Sequence, residues 1–386
     1  MRFWFLLPFI FSLITVACQS AKRDQYPEGG VRVKIPKWTA AGYQFEVVEL
    51  YTVRDMVDLA GDAAQFLLWP RVSGSHLVGS APKIRTMRNA EGIYIASDEF
   101  SLELLTTYYH MEKLKALDEL VGAGEINTWP RQVAISNNVY DPVMGQIQNN
   151  ALYSGQYDAI MLMPYTQAQL PMAVNGGILG HEHFHSLFQK TVINSLGEKF
   201  PQAYLSPTLH GSELAVKPTT QRDFYHSYLL RGLNEGLADF WGWLYSEDNS
   251  FVGRSLSEYQ QKRDLYQKFT EIPNQACFLL ALYRVNGKST TLKAYEFGTQ
   301  VAIWQRELAL RIQKSRGLTM EQTRFVLGTA TIRALQNYSQ AFSKLREEEM
   351  MEPGQWMELL LDQLPGLEKE LKDWSLKIKD NGCKRH

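Results

Sequence analysis

The chain has 386 residues, enough to bury a sizeable core as one large domain or several smaller ones. Hydrophobic residues make up 45% and charged residues 21% of it, near globular averages, and a mean hydropathy of -0.27 excludes a multi-span membrane protein. A net charge of -1 without any basic stripe excludes the positive surplus with which nucleic-acid binders neutralise phosphates.

At the amino terminus Arg2 precedes an apolar run, Phe3 to Ala17, that is too short to span a bilayer comfortably and reads as an export signal. The run ends in Ile14-Thr15-Val16-Ala17-Cys18, which resembles a bacterial lipobox, with Thr15 where leucine is more usual. That resemblance implies a signal peptide over 1–17, acylation of Cys18 and anchoring in the lipid bilayer of the cell envelope. Gln19, rather than aspartate, follows the cysteine and implies sorting to the outer membrane, on its periplasmic or surface side. Several acyl chains give stable anchoring where a single one gives marginal binding. With Cys18 so used, Cys277 and Cys383 remain. An oxidising compartment permits them to pair, and two unrelated thiols, one in an apolar stretch and one on a polar tail, is the alternative.

Residues 18–30 are charged and carry Pro and Gly, as in a short tether. An amino-terminal α+β lobe is expected over 31–190. Within it Val31 to Ile35 alternates like a strand, Leu102 to Val121 has helical periodicity, and Arg131 to Ile135 and Asp158 to Met163 are strand-like. A helical lobe is expected over 191–386. From Gly176 onward helices are predicted at Gly180 to Ile193, Arg222 to Ser246, Ser257 to Val285, Leu292 to Lys314, Met320 to Gln336 and Gln355 to Ile378. The fold class is therefore α+β, strands early and helices late. A long polar connection, Asn194 to Gln221, separates the first two of these helices, and such connections are usually functional or insertions.

His181-Glu182-His183-Phe184-His185 holds the pattern H-E-x-x-H within a helical stretch. Residues four apart share a helix face, so His181 and His185 reach one ion while Glu182 stands beside it as general base. Two imidazoles and a carboxylate suit Zn2+, one ion per chain, with the fourth tetrahedral position left to water. On a later helix lies Asn234-Glu235-Gly236-Leu237-Ala238-Asp239. Glu235 and Asp239 share a face there, and a ligating imidazole needs an acceptor for its other ring nitrogen. Asn234 is a further such acceptor, for His185.

Together, Gly180 to His185 and Asn234 to Asp239 resemble the paired motifs of the gluzincin, or thermolysin-like, metallopeptidases. The resemblance implies a zincin-like catalytic domain, Glu235 as third zinc ligand and Asp239 as the support of His181. Asn150-Ala151-Leu152-Tyr153-Ser154-Gly155 is similar to the gluzincin edge strand that pairs with substrate backbone, and an ordinary hairpin is its alternative. Tyr295 to Gly298, followed by Val301 to Trp304, is similar to a helix that backs the site, and core packing explains those residues equally well.

The chain departs from the family after Glu235, where the single remaining histidine is His386, so the family's oxyanion-stabilising histidine has no counterpart inside the domain. Tyr283, Tyr295, Tyr338, Tyr225, His226 and Tyr228 are alternatives among which the sequence does not choose. His183 faces away from the metal by helical geometry and His210 lies in the loop, both read as surface or satisfied core histidines, and neither His76 nor His110 has a nameable partner. The expected activity is zinc-dependent hydrolysis of a peptide or protein substrate at the cell envelope, with Glu182 passing the proton of an activated water to the leaving amine. Its alternatives are a catalytically inactive zinc-binding scaffold and an interaction lipoprotein without metal.

Overall fold

Alternation of Val33 and Ile35, both buried, with the exposed Arg32 and Lys34 makes the first structured segment a strand with one face on the core. The computed structural model describes residues 29–135, 140–141, 145–197, 220–259, 262–284, 290–364 and 366. The export signal, the Cys18 lipobox and the tether up to residue 28 fall outside these, as do 198–219 in the polar connection and the carboxy-terminal residues with Cys383 and His386.

Strand β1 (Val31–Thr39) pairs antiparallel with β2 (Gly42–Leu50). The short β3 (Val53–Asp55) and β4 (Ala60–Gly61) follow, then β5 (Ala64–Ser73), β6 (His76–Ser80), β7 (Thr86–Arg88) and β8 (Tyr94–Ala96). A first sheet has the order β2-β1-β8-β7. Helix α1 (Glu99–Val121) starts where the Asp98 side chain accepts from the Ser101 N–H and ends at Gly122, whose φ of 81° a side chain would resist. After it come β9 (Arg131–Ile135), the two-stranded ribbon of β10 (Tyr140–Asp141) and β11 (Gly145–Gln146), β12 (Ala151–Ser154) and β13 (Ala159–Leu162). The second sheet has the order β12-β13-β9-β5-β6. Its centre, β13, β9 and β5, is parallel and β12 is an antiparallel edge. Central parallel strands are covered on both faces, which is why Val133, Ala134, Ala159 and Ile160 are all buried.

The remainder is helical. Helix α2 (Gly176–Phe188) runs on through a π-helical turn, Gln189–Ile193, into α3 (Asn194–Leu196). Then come α4 (Gln221–Ser246), α5 (Phe251–Ser255), α6 (Gln275–Arg284), α7 (Thr290–Arg316), α8 (Met320–Ser343) and α9 (Gln355–Asp362). The architecture is α+β, with strands early and helices late. One apolar cluster runs from Val33 and Ile35 of the first sheet through α1, α2, α4, α7 and α8 to Trp356 and Leu360 of α9.

Three expectations need correction, the first being that the helix expected over 355–378 ends as α9 at Asp362. Strands β2 to β8 lie in a region where the sequence singled out only the first strand. The single helix expected over 257–285 is instead a 3-10 turn (Ser257–Tyr259), an irregular stretch, and α6. Leu265, Phe269 and Ile272 are spaced as on a helix and all are buried, yet Pro273 interrupts and Asn274 caps α6 by accepting from the Cys277 N–H at 2.9 Å. The irregular backbone is satisfied from α7, where Glu307 and Gln300 accept from the N–H groups of Phe269 and Thr270. Cys277 is disulfide-bonded, and its partner lies outside the described residues.

Helix α4 lies between α2 and α7 at very short range. A β-carbon on Gly242 would stand 2.6 Å from the Gly177 carbonyl oxygen of α2, and one on Gly236 would stand 2.2 Å from the Gly298 carbonyl oxygen of α7. Gly236→Ala should therefore force α4 and α7 apart and cost about 1 to 3 kcal/mol or more. Denaturant titration reads the loss, and wild-type stability in this variant would refute the close packing.

A second tie holds the sheet to the end of α2. Asp158, at the start of β13, accepts from Arg131 at 2.8 Å, Lys190 at 2.7 Å and the Tyr153 hydroxyl at 3.0 Å. Burial raises the pKa of Asp158, but Arg131 and Lys190 outweigh it and hold the carboxyl below its ordinary value. Its stabilisation is thus fully present above the ordinary carboxylate range and is lost as pH falls through the lower folded value. Asp158→Asn, tolerated at φ 48°, should cost about 3 kcal/mol at neutral pH by stranding the buried Arg131. That deficit should shrink as pH falls below about 4, and a pH-independent deficit would contradict the assignment.

Candidate metal centre

The site begins with the cap of α2. Asn175, fully buried, accepts from the N–H groups of Gly177 and Ile178 and donates to the Phe251 carbonyl at 2.7 Å and the Ser255 hydroxyl at 2.8 Å. One side chain thus starts α2 and seats α5 against it, which moves the helix start to Gly176, ahead of the expected Gly180. From that start, helical geometry places His181 and His185 on one face, with ring centroids 4.5 Å apart.

Helix α4 brings the second motif to them. His181, His185 and Glu235 form a group whose ligand atoms all lie within 4.8 Å of one another and that is able to hold a metal ion. Nε2 of His181 is 3.0 Å from Nε2 of His185 and 3.6 Å from Oε2 of Glu235. On the far side of the rings, Nδ1 of His181 lies 2.9 Å from Oδ1 of Asp239, and Nδ1 of His185 lies 2.9 Å from Oδ1 of Asn234. Each Nδ1 facing an oxygen acceptor carries the ring proton, which leaves both Nε2 atoms as bare lone pairs. Two lone pairs and a carboxylate oxygen converging at such distances repel unless a cation joins them. The donor set therefore fits a metal ion.

Arg263, which sequence reasoning missed, completes the centre. It comes from the irregular stretch after α5, donates to both oxygens of Asp239 at 3.0 and 2.5 Å, and stands 3.7 Å from Oε2 of Glu235. Both members of this pair are buried. Burial alone would raise the pKa of Asp239, but Arg263 and His181 outweigh it and push the carboxyl down to about 2. For His181 burial disfavours the charged form, and the Asp239 carboxylate more than compensates and holds its pKa above the ordinary imidazole value. No motif or spacing marks Arg263 among the 40 Lys and Arg residues.

Glu182 adjoins the group on α2. It is buried, and its Oε2 has no hydrogen-bond partner among the described residues. His183 points the opposite way, as helix geometry requires, into a sealed network in which its Nε2 lies 2.9 Å from Asp118, while Asn127 donates to Asp118 and accepts from Ser186.

The remaining candidates separate cleanly. Ala151 begins the edge strand β12, which packs beside α2, and the Asn150 carbonyl accepts from the Met163 N–H. Tyr225 donates to the Met351 carbonyl and His226 accepts from the Met351 N–H, so both serve the core. Tyr338 is buried against Trp356, and Tyr228 packs on Phe224. Tyr295 stacks 5.0 Å from the Arg263 guanidinium, which makes it the one described residue of that set placed against the centre. The side chain of Tyr283, together with His210, lies outside the described residues. His110 is buried, with Nδ1 2.7 Å from the Tyr245 hydroxyl, and burial pushes its pKa down to about 3. His76 is exposed at the start of β6.

In comparisons with known proteins no family model matches the chain and no curated protein does.

Removing Glu235 takes away one of three donors, so Glu235→Ala should abolish stoichiometric metal binding as read by elemental analysis and chelator competition. Asp239→Asn removes the charge that supports His181 and pairs with Arg263, and should weaken binding about 10 to 100-fold. Metal at 100 times its dissociation constant should stabilise the wild type by about 2.7 kcal/mol, and a chelator should remove that increment. Full occupancy in the Glu235→Ala protein would refute the third-donor assignment.

Proposed function

We propose that this chain is a zinc metallopeptidase of the bacterial cell envelope, anchored through acylated Cys18. The observation that carries the reading is the convergence of His181, His185 and Glu235 with an unpartnered glutamate, Glu182, next to the first of them. Zinc is favoured by the donor set of two imidazoles and one carboxylate and by the spacing. Tetrahedral Zn–N bonds of about 2.0 to 2.1 Å put ligand atoms about 3.4 Å apart; here two of the three separations are 3.0 and 3.6 Å and all lie within 4.8 Å. The resemblance of both motifs to gluzincin peptidases points the same way, and the lipobox resemblance at Cys18 supplies the location.

Bound there, zinc supplies Lewis acidity toward a water and toward a peptide carbonyl. Glu182 is the base that accepts the water's proton and returns it to the leaving amine. Its burial favours that role, because a carboxylate without a competing hydrogen bond remains available to the substrate. Asp239 and Asn234 hold the two rings in the tautomer that presents Nε2, and Arg263 fixes Asp239 in turn. Beside α2, β12 is the edge of its sheet among the described residues, and an edge strand is where an extended peptide usually pairs.

Glu182→Gln separates this reading from an inactive zinc scaffold. Glutamine is nearly isosteric, so zinc content should be unchanged, while cleavage of a complex peptide mixture should fall by about 10² to 10⁴-fold. Equal cleavage by the variant would reject Glu182 as base, and a zinc-replete wild type that cleaves nothing would favour the scaffold.

A further inference from the structure

An open sheet with one face on the core is expected to present polar side chains on the other. The first sheet does not. Its inner face carries Val33, Ile35 and Leu50, all buried. On its outer face the register sets Lys34 opposite Val47 and Pro36 opposite Phe45, then continues from Lys34 to Ile95 of β8 and from Ile95 to Met87 of β7. Phe45 is 59% exposed, Val47 43% and Met87 63%. These apolar groups form a band across the four strands. Lys34 lies within it, its ammonium 6.0 Å from the Phe45 ring, and Arg32 follows one row on. Glu49, opposite Arg32 on that face, accepts from the Tyr51 hydroxyl and puts one negative charge beside the two cations.

Apolar side chains interspersed with cations match a bilayer surface, where the former enter the acyl boundary and the latter meet anionic headgroups. The position of the band in the chain selects the same occupant. Residues 19–30, twelve in all, separate Cys18 from Val31, and a fully extended chain of that length reaches about 45 Å at most. The band starts three residues into β1, so an acylated Cys18 confines it near the membrane, where even weak affinity for lipid is effective.

We propose that the outer face of the β2-β1-β8-β7 sheet rests on the anionic bilayer in which Cys18 is anchored. This rests on the anchoring proposed above. It has a consequence for the metal centre: α1 packs on the inner side of β1 and β8, and α2 packs on α1. Seen from the band the centre lies behind α1, and the hairpin tip of the same face, Trp38 opposite Tyr43, is covered by Arg254 of α5 and is not part of the lipid-facing surface.

The test uses the full chain in vesicles of phosphatidylethanolamine and phosphatidylglycerol that contain a photoactivatable phospholipid, with cross-links mapped by mass spectrometry. Cross-links are expected within 31–50 and 86–96, and Phe45→Ser, Val47→Ser and Met87→Ser together should reduce them about tenfold or more. Metal uptake by the triple variant reports that it is folded. Intact mass reports acylation separately. Cross-links at these strands in a protein without acyl chains would support the face and reject the anchor. Acylated protein without cross-links there, cross-links unchanged in the folded triple variant, or protection of these strands by a second copy would overturn the proposal.

Discussion

The close approach of three helices through glycine is the constraint on which the centre depends. Glu235 is carried by α4, while its partners His181 and His185 are on α2, and the separation of these helices sets whether one ion can touch all three. Gly242, against the Gly177 carbonyl, and Gly180, against Gly242, let the backbones of α2 and α4 meet, and Gly232, Gly236 and Gly298 do the same for α4 and α7. Gly236 is the residue next to Glu235. A methyl group there would meet the Gly298 carbonyl and displace the helix that carries the donor carboxylate.

Electrostatics within this packed frame are arranged around Asp239. It is buried, and an isolated buried carboxylate would be costly, yet it lies between the Arg263 guanidinium and the His181 ring and accepts from both sides. Arg263 keeps Asp239 ionised, Asp239 orients His181, and His181 presents its lone pair beside that of His185. The same guanidinium approaches Glu235 and carries the Tyr295 ring. One cation from an irregular segment thus connects α4, α7 and the centre.

The two sheets stand in different relations to this core. The second runs alongside α2 and gives it an edge strand, and the Asp158 cluster joins β9, β12, β13 and the π-helical turn that follows Phe188. A π turn shifts the register of a helix, and here it begins at the residue after α2, so Lys190 reaches Asp158 while His181 and His185 keep ideal spacing on α2. The first sheet is held through α1 and through the tip of its hairpin. There Arg254 of α5, paired with Asp248, stacks 3.9 Å from the Trp38 ring.

What the sequence determined by itself was local. H-E-x-x-H names a helix face, Asn234 to Asp239 names another, and both were legible because helical periodicity alone places residues four apart together. Helix α1 and the long helices α4, α7 and α8 were legible for the same reason, β1 because it alternates, and β9 and β13 because short apolar runs read as buried strands. The tertiary structure decided everything that depends on separation between elements. Arg263 could not be read because its meaning is a distance to Asp239 across a chain segment with no repeating pattern. The break at Pro273 was hidden because Leu265, Phe269 and Ile272 have helical spacing while being buried from an irregular backbone. The places of the candidate tyrosines likewise required knowing how α7 packs on α4, which leaves Tyr295 beside Arg263 and Tyr225 and Tyr338 in the core. Periodicity is a property of neighbours in sequence, whereas a metal centre is made by residues whose approach is fixed only when the helices that carry them pack.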